Sequence, residues 1–296
     1  MSKRIAFCGC LVVMFFFAGA ERSYSAGSGH DLGYVQQHAL AGDAMFQHQL
    51  GLIYGEGRGV PRDSESAFYW FTKAAEQGHL ESQVNLGAMY AMGVGVQRNY
   101  LHAAHWYRIA AERGHPEAQN NLAILFEEGL GFAPDKNQAL RWYTEAANQG
   151  HPEALYNLAQ LHLEQEDAEE NVQKALDLLV AAAERGYAPA QYHAGYLLER
   201  GEGVKQNLHI AAALYKMAAQ QGLPEAQLNL GVMYLTGQGV SQENVLAYKW
   251  FILAVFHGLE QAAEAMNLAE TRMTPGQISD ARRQAEQWVL QRRAGQ

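Results

Sequence analysis

Apolar and polar positions alternate along this chain with a long, fixed period. Leu50, Leu86, Leu122, Leu158 and Leu230 fall on a 36-residue grid, with Ala194 at the remaining point. Around each grid point the apolar residues keep helical spacing. Ser82, Leu86 and Tyr90 are set four and four apart, which places them on one helical face. In the second half of the same unit Ala103, Trp106 or Tyr107, and Ala110 repeat that spacing. Each period therefore predicts two amphipathic helices, A and B, of roughly a dozen residues each. A fixed period in the range of about 20–50 residues marks a repeat architecture.

Further columns define the unit. After the Leu column comes a small residue: Gly51, Gly87, Ala123, Ala159, Gly195, Gly231. It predicts a close approach of two helices. Trp70, Trp106, Trp142 and Trp250 share a column expected to fill the space where the helices diverge. The pair Gly57/Gly59 recurs at Gly93/Gly95, Gly129/Gly131, Gly201/Gly203 and Gly237/Gly239, and reads as a left-handed helix end followed by a tight turn. Asp63, Asn99, Asp135, Asn171 and Asn207 follow it, where helix B needs an N-cap acceptor. Gly42, Gly78, Gly114, Gly150, Gly186, Gly222 and Gly258 are expected to end helix B in the same way. Pro116, Pro152 and Pro224 suit the first turn of helix A.

Six full units occupy residues 43–258. Residues 31–42 read as an N-terminal half-unit, with Tyr34 on the Trp column and Ala39 on the small pair that ends helix B. Residues 259–296 read as a seventh helix A over Leu259–Arg272, then a closing helix from Thr274-Pro275 to about Arg293. Ile278, Ala281, Ala285, Trp288 and Val289 form its apolar stripe, expected to cover Ile252, Leu253 and Phe256 of the last helix B. The fourth unit departs from the pattern. Gln165 and Asp167 replace the paired Gly, and Leu178-Leu179 replace the Trp-Tyr pair.

The first twenty residues follow another pattern. Lys3 and Arg4 precede an uncharged, mostly apolar run from Ile5 to Phe17, and Ala18-Gly19-Ala20 follows. This predicts a signal peptide over 1–20, cleaved after Ala20, and a periplasmic or secreted protein. The run is too short to span a bilayer, so no membrane span is expected after cleavage. Residues 21–30 are a Ser/Gly-rich lead-in, expected to be disordered. Cys8 and Cys10, the only cysteines, leave with the signal. Losing Lys3 and Arg4 but no acid takes the net charge from −9 to −11. That sign argues against nucleic acid as a partner.

Together these residues resemble the Sel1-like repeat family, a relative of the tetratricopeptide repeat. The likeness is clearest at Ser82–Tyr90, Gly93–Val96, Ala103–Tyr107 and Ala110–Gly114, and it covers about residues 31–273. It implies an all-α, right-handed α-solenoid of six 36-residue helix-turn-helix repeats with terminal capping helices. It also implies an adaptor for a protein or peptide partner. Secreted bacterial members are implicated in envelope assembly, signalling control and host interaction. Cysteine-rich members reported to bind or hydrolyse β-lactams suggest an alternative, a cell-wall or β-lactam-type ligand binder or hydrolase. Those members carry a disulfide in each repeat, which this chain lacks.

The chain shows no HExxH, GxSxG, SxxK, phosphate-loop or calcium-loop pattern, so no enzyme activity and no cofactor or metal is expected. His102 and His105 have metal-ligand spacing without a third ligand and read as surface residues. His79, His115 and His151 read as serving the turn into helix A. Binding is expected on the concave face, lined by helices A. Tyr156, Tyr192 and Tyr196 are the candidate anchors there, weighed against plain packing between repeats. Asn85, Asn121, Asn157 and Asn229 form an amide ladder that could hold a peptide backbone or satisfy carbonyls between repeats. Glu81, Glu117, Glu153 and Glu225 sit in the first turn of helix A, where they favour the helix dipole and form an acidic rim suited to a basic partner. The loop with Glu164, Glu166, Asp167, Glu169 and Glu170 extends that rim.

Overall fold

A computed structural model describes residues 32–164 and 169–294. The readings for the signal and the lead-in lie outside the described residues, as do Glu166 and Asp167 of the acidic loop. Among the described residues every regular element is an α-helix. The chain divides into two compact units, Met1–Trp142 and Tyr143–Gln296.

The first unit holds α1 (Leu32–Leu40), α2 (Ala44–Glu56), α3 (Ser64–Glu76), α4 (Leu80–Met92), α5 (Tyr100–Glu112) and α6 (Pro116–Glu128). The boundary falls inside α7 (Lys136–Asn148). The second unit holds α8 (Pro152–Glu164), α9 (Glu169–Glu184), α10 (Ala188–Arg200), α11 (Leu208–Gln220), α12 (Pro224–Thr236) and α13 (Asn244–Phe256). It ends with α14 (Ala262–Glu270) and α15 (Pro275–Ala294). Helices A are α2, α4, α6, α8, α10 and α12, and every one has 13 residues, which keeps the column register from repeat to repeat. Within each unit a helix A packs on its own helix B and on the helix B before it.

The caps explain where the helices stop. Helix A ends on a left-handed Gly: Gly57, Gly93, Gly129, Gly201 and Gly237 have φ between 65° and 77°. Helix B also ends on a left-handed Gly, as expected: Gly78, Gly114, Gly150, Gly186, Gly222 and Gly258 have φ between 78° and 94°. Its marker Gly lies one residue past the cap, as Gly78 follows Gln77. There Gly78 N–H donates to Ala75 O (2.9 Å) and His79 N–H to Ala74 O (3.0 Å), the reversed pair of bonds that closes a left-handed terminus. Asp63, Asn99, Asp135 and Asn207 accept backbone N–H groups at the start of helix B, as expected. Asn171 does not. It lies inside α9, which starts at Glu169 in the unit that lacks the paired Gly.

The second Gly of each pair serves a purpose the turn reading missed. A Cβ on Gly95 would strike the Ser64 carbonyl, and one on Gly239 the Leu208 carbonyl. The loops that carry Gly95, Gly131, Gly203 and Gly239 thus lie against the start of the previous repeat's helix B, while Gly59 meets nothing within 4 Å.

The helix–helix contact also differs from expectation. The residue after the Trp column, not the Trp, lies over the small column. Phe71 and Tyr107 are buried in the first unit, Tyr215 and Phe251 in the second. Their rings stand 2.5–3.0 Å from where a Cβ would sit on Gly51, Gly87, Gly195 and Gly231. In the Trp column Trp142 and Trp250 are buried, while Trp70 and Trp106 are half-buried. The ring needs a flat, backbone-only floor, and glycine supplies it.

At the N-terminus, Val35 and Ala39 of α1 pack on Leu50, while Tyr34 stays 42% exposed. At the C-terminus, Ala281 and Ile278 of α15 join the core of α13. Leu253 is buried and Ile252 is packed, but Phe256 remains 58% exposed, contrary to the expected cover. The seventh helix A is shorter than expected, because tight turns at Leu259–Ala262 delay its start. Thr274 and Gln277 bond reciprocally to start α15. Arg292 of α15 reaches the Gln220 and Gln221 carbonyls beside Gly222. It plays the part that Arg113 plays at Gly78 O (2.6 Å), so the closing helix stands in for a further helix B.

Candidate functional site

The three candidate tyrosines gather in the second unit. Tyr156 of α8 stacks on His193 of α10, ring centroids 5.3 Å apart and 16° from parallel. Tyr187 meets Tyr156 edge-on at 5.4 Å. Gln160 Nε2 donates to Tyr156 OH (2.9 Å) and lies 3.4 Å from His193 Nδ1. Tyr192 lies 5.7 Å from Tyr215 of α11. Tyr156, Tyr192 and Tyr196 are all half-buried. At matching positions of other helices A, Val84, Ala88 and Asn120 are buried, while His48, Leu52, Ile124, Leu228 and Val232 are half-buried. The aromatics of repeats four and five are thus both packed between repeats and partly open.

Burial, then the Glu225 charge, pushes the Tyr192 phenol up to about 12. Burial followed by Glu153 raises Tyr187. Burial and a 2.6 Å bond donated to Glu199 Oε2 raise Tyr215. All these phenols are neutral donors near pH 7.

The asparagine ladder has work inside the protein. The Asn121 amide bonds the Tyr107 hydroxyl of the preceding helix B. Asn229 bonds both Tyr215 and Tyr192. The partners are phenols rather than the carbonyls expected. Asn85 and Asn157 occupy the same half-buried position on α4 and α8. His193 takes that column in the fifth repeat.

A glutamine column went unnoticed in the sequence, although its period is plain. Gln47, Gln83, Gln119, Gln191 and Gln227 are buried, and each donates Nε2 to a carbonyl eight residues earlier, at 3.1–3.2 Å. The carbonyls belong to the small pair that ends the previous helix B. In three repeats the residue at the end of helix B bonds the Gln oxygen: Gln77 to Gln47, Gln221 to Gln191, His257 to Gln227. This ladder ties successive repeats together and would be damaged by any apolar exchange.

The histidines sort by position. His79, His115 and His151 each accept an N–H in the first turn of helix A through Nδ1, as expected. His102 is exposed and stacks on Tyr90 at 5.0 Å. Among the described residues no group of acidic, His or Cys side chains is arranged to hold a metal.

Two histidines are set well in from the surface, His193 buried and His48 half-buried. His48 stacks on His79 at 4.4 Å, and Ser82 Oγ lies 2.9 Å from its Nδ1. Burial, then the His79 charge, lowers His48 to about 4, against a smaller upward pull from Glu81. Burial alone lowers His193 to about 4. Both folded values lie below the ordinary 6.5. Their contribution to stability is therefore whole above pH 6.5 and is lost as pH falls toward 4, because the unfolded chain takes up protons first. Thermal unfolding followed from pH 7 to 4.5 should show a falling midpoint. His193→Asn, which installs the side chain of the other repeats, should flatten part of that fall.

The Sel1 repeat model matches six consecutive stretches: 44–79, 80–115, 116–151, 152–187, 188–223 and 224–255. The chain belongs to the Sel1 repeat family. Its Sel1 repeats account for the all-α solenoid pattern of columns and caps described above. A solved Sel1 repeat protein from Oxalobacter formigenes is similar at 30% identity and a TM-score of 0.67, over 73% of this chain and 89% of that one. A protective antigen of uropathogenic Escherichia coli, c5321, which displays an SLR fold, is similar at 30% identity and a TM-score of 0.52, over 87% of this chain. The Sel1 repeat chain spans 63% of the length of c5321. No curated protein matches it. Sel1 repeats generally serve as protein–protein interaction scaffolds and are typically non-catalytic. Among the described residues no helix is long and apolar enough to cross a membrane.

Proposed function

We propose that this Sel1 repeat chain is an exported scaffold, periplasmic or secreted, that holds a protein or peptide partner on the helix A face of repeats four and five. A role in envelope assembly, signalling control or host interaction fits such a scaffold. The observation that carries the siting is the cluster of Tyr156, Tyr192 and Tyr196, three partly open aromatics from two adjacent helices A. Partly exposed tyrosines offer large apolar area at low entropic cost, which is what binding anchors need. The basic start, apolar run and Ala18-Gly19-Ala20 at the N-terminus support export.

The test is partner capture from an envelope extract by the wild type and by Tyr156→Ala/Tyr192→Ala/Tyr196→Ala. The variant should keep its helical circular dichroism and lose partner by about tenfold or more. Undiminished capture would remove the binding site from this face. Hydrolysis of nitrocefin or muropeptides by the pure protein would instead favour the enzyme class.

A further inference from the structure

We infer that the helix A face of repeats four to six takes a partner segment carrying lysine or arginine side chains beside apolar ones. The inference rests on the scaffold reading and adds the chemistry of the occupant.

Three observations lead there. First, the open edges on this face are aromatic and apolar: Tyr156, Tyr192 and Tyr196, with half-buried Leu228 and Val232 on α12. Tyr192 and Tyr196 are one helical turn apart, about 6 Å along α10, which suits successive side chains of a segment rather than one small molecule. Second, the charge around them is negative. Helices α8, α10 and α12 carry four carboxylates, Glu153, Glu164, Glu199 and Glu225, and one guanidinium, Arg200. Arg200 is engaged by Glu202 at 2.5 Å. Glu153 acts electrostatically on Tyr187, and Glu225 and Glu199 act on Tyr192, so these acids lie close to the rings. No cation among the described residues pairs with Glu153 or Glu225. Third, in repeats five and six the charge is sorted by face. Their B helices, α11 and α13, carry Lys216 and Lys249 and no acid, whereas α9 of repeat four carries Glu169, Glu170, Asp177 and Glu184 beside Lys174. In repeats five and six the negative helical charge thus lies on the helix A side.

Ring faces and carboxylates favour the same ligand. The negative face of a tyrosine ring attracts an ammonium or guanidinium group, and a nearby carboxylate adds to that attraction. An acidic segment would meet like charge on every side. A bare cation is the weaker occupant, because the carboxylates form no metal-holding group among the described residues.

The experiment uses the full chain and three fluorescent dodecapeptides, four repeats each of Arg-Ser-Leu, Gln-Ser-Leu and Glu-Ser-Leu, read by anisotropy at low and high salt. The Arg peptide should bind about tenfold or more tighter than the other two, and the advantage should shrink with salt. Glu153→Gln/Glu225→Gln should remove about tenfold of the Arg-peptide affinity and leave the Gln peptide unchanged. Equal or tighter binding of the Gln or Glu peptide, still dependent on Tyr192 and Tyr196, would overturn the charge inference and leave the scaffold reading standing. Arg-peptide binding that survives both the Glu and the Tyr substitutions would overturn both. Failure of all three peptides would overturn the inference, and the envelope capture experiment would then decide the scaffold reading by itself.

Discussion

Gly95→Ala is expected to cost about 3–4 kcal/mol, while the same change at Gly59 costs about 1 kcal/mol. The two glycines hold the same place in successive repeats and nearly the same backbone, φ 68° and φ 70°. Both therefore charge an alanine for the left-handed conformation. They differ in what lies beyond the missing side chain. At Gly59 nothing stands within 4 Å, whereas at Gly95 the Ser64 carbonyl, at the start of the previous helix B, occupies the place of a Cβ. A backbone group cannot rotate aside, so the second repeat must move off the first. Denaturant unfolding of the two variants separates the terms. Equal losses would mean that the loop does not register one repeat on the next.

The second large effect lies in the core. Phe71→Ala is expected to cost about 3–5 kcal/mol, and Trp70→Ala less than half of that. The Phe71 ring is 2% exposed and lies 2.7 Å from where a Gly51 Cβ would be, so its loss leaves a cavity between α2 and α3 that neither backbone can fill. Trp70 is half-buried at the edge of the cluster formed by Val35, Ala39 and Leu50, and water can replace part of what it loses. The comparison is made by unfolding in urea with circular dichroism. A Trp70 variant as damaged as the Phe71 variant would restore the Trp column as the seat of the core.

That contrast shows what was legible in the sequence and what was not. The period, the helix pairs, the left-handed ends of helix A and four of the five caps could all be read, because each is a local rule repeated five or six times. Asn171 misled because its repeat lacks the paired Gly that sets the start of helix B, and α9 begins three residues earlier than the other helices B do in their repeats. The Trp column drew attention by residue type, but neighbouring positions on a helix differ by about 100° in direction, and the next column points at the glycine. The glutamine column was as periodic as the leucines. Its role depends on a carbonyl eight residues earlier, across the turn between repeats, which only the folded turn brings within reach of the amide. Of the candidate site, the position of Tyr156, Tyr192 and Tyr196 in adjacent repeats was legible. The stacking of Tyr156 on His193 was not, because it depends on how far α8 and α10 are offset.

The central claim is that the helix A face of repeats four and five meets a partner. In-cell photocrosslinking with p-benzoylphenylalanine at position 196, read by mass spectrometry and compared with position 69 on helix B, tests it most directly. The same discrete partner should be captured repeatedly from position 196 and not from position 69. No adduct from position 196, or the same adducts from both positions, would contradict it.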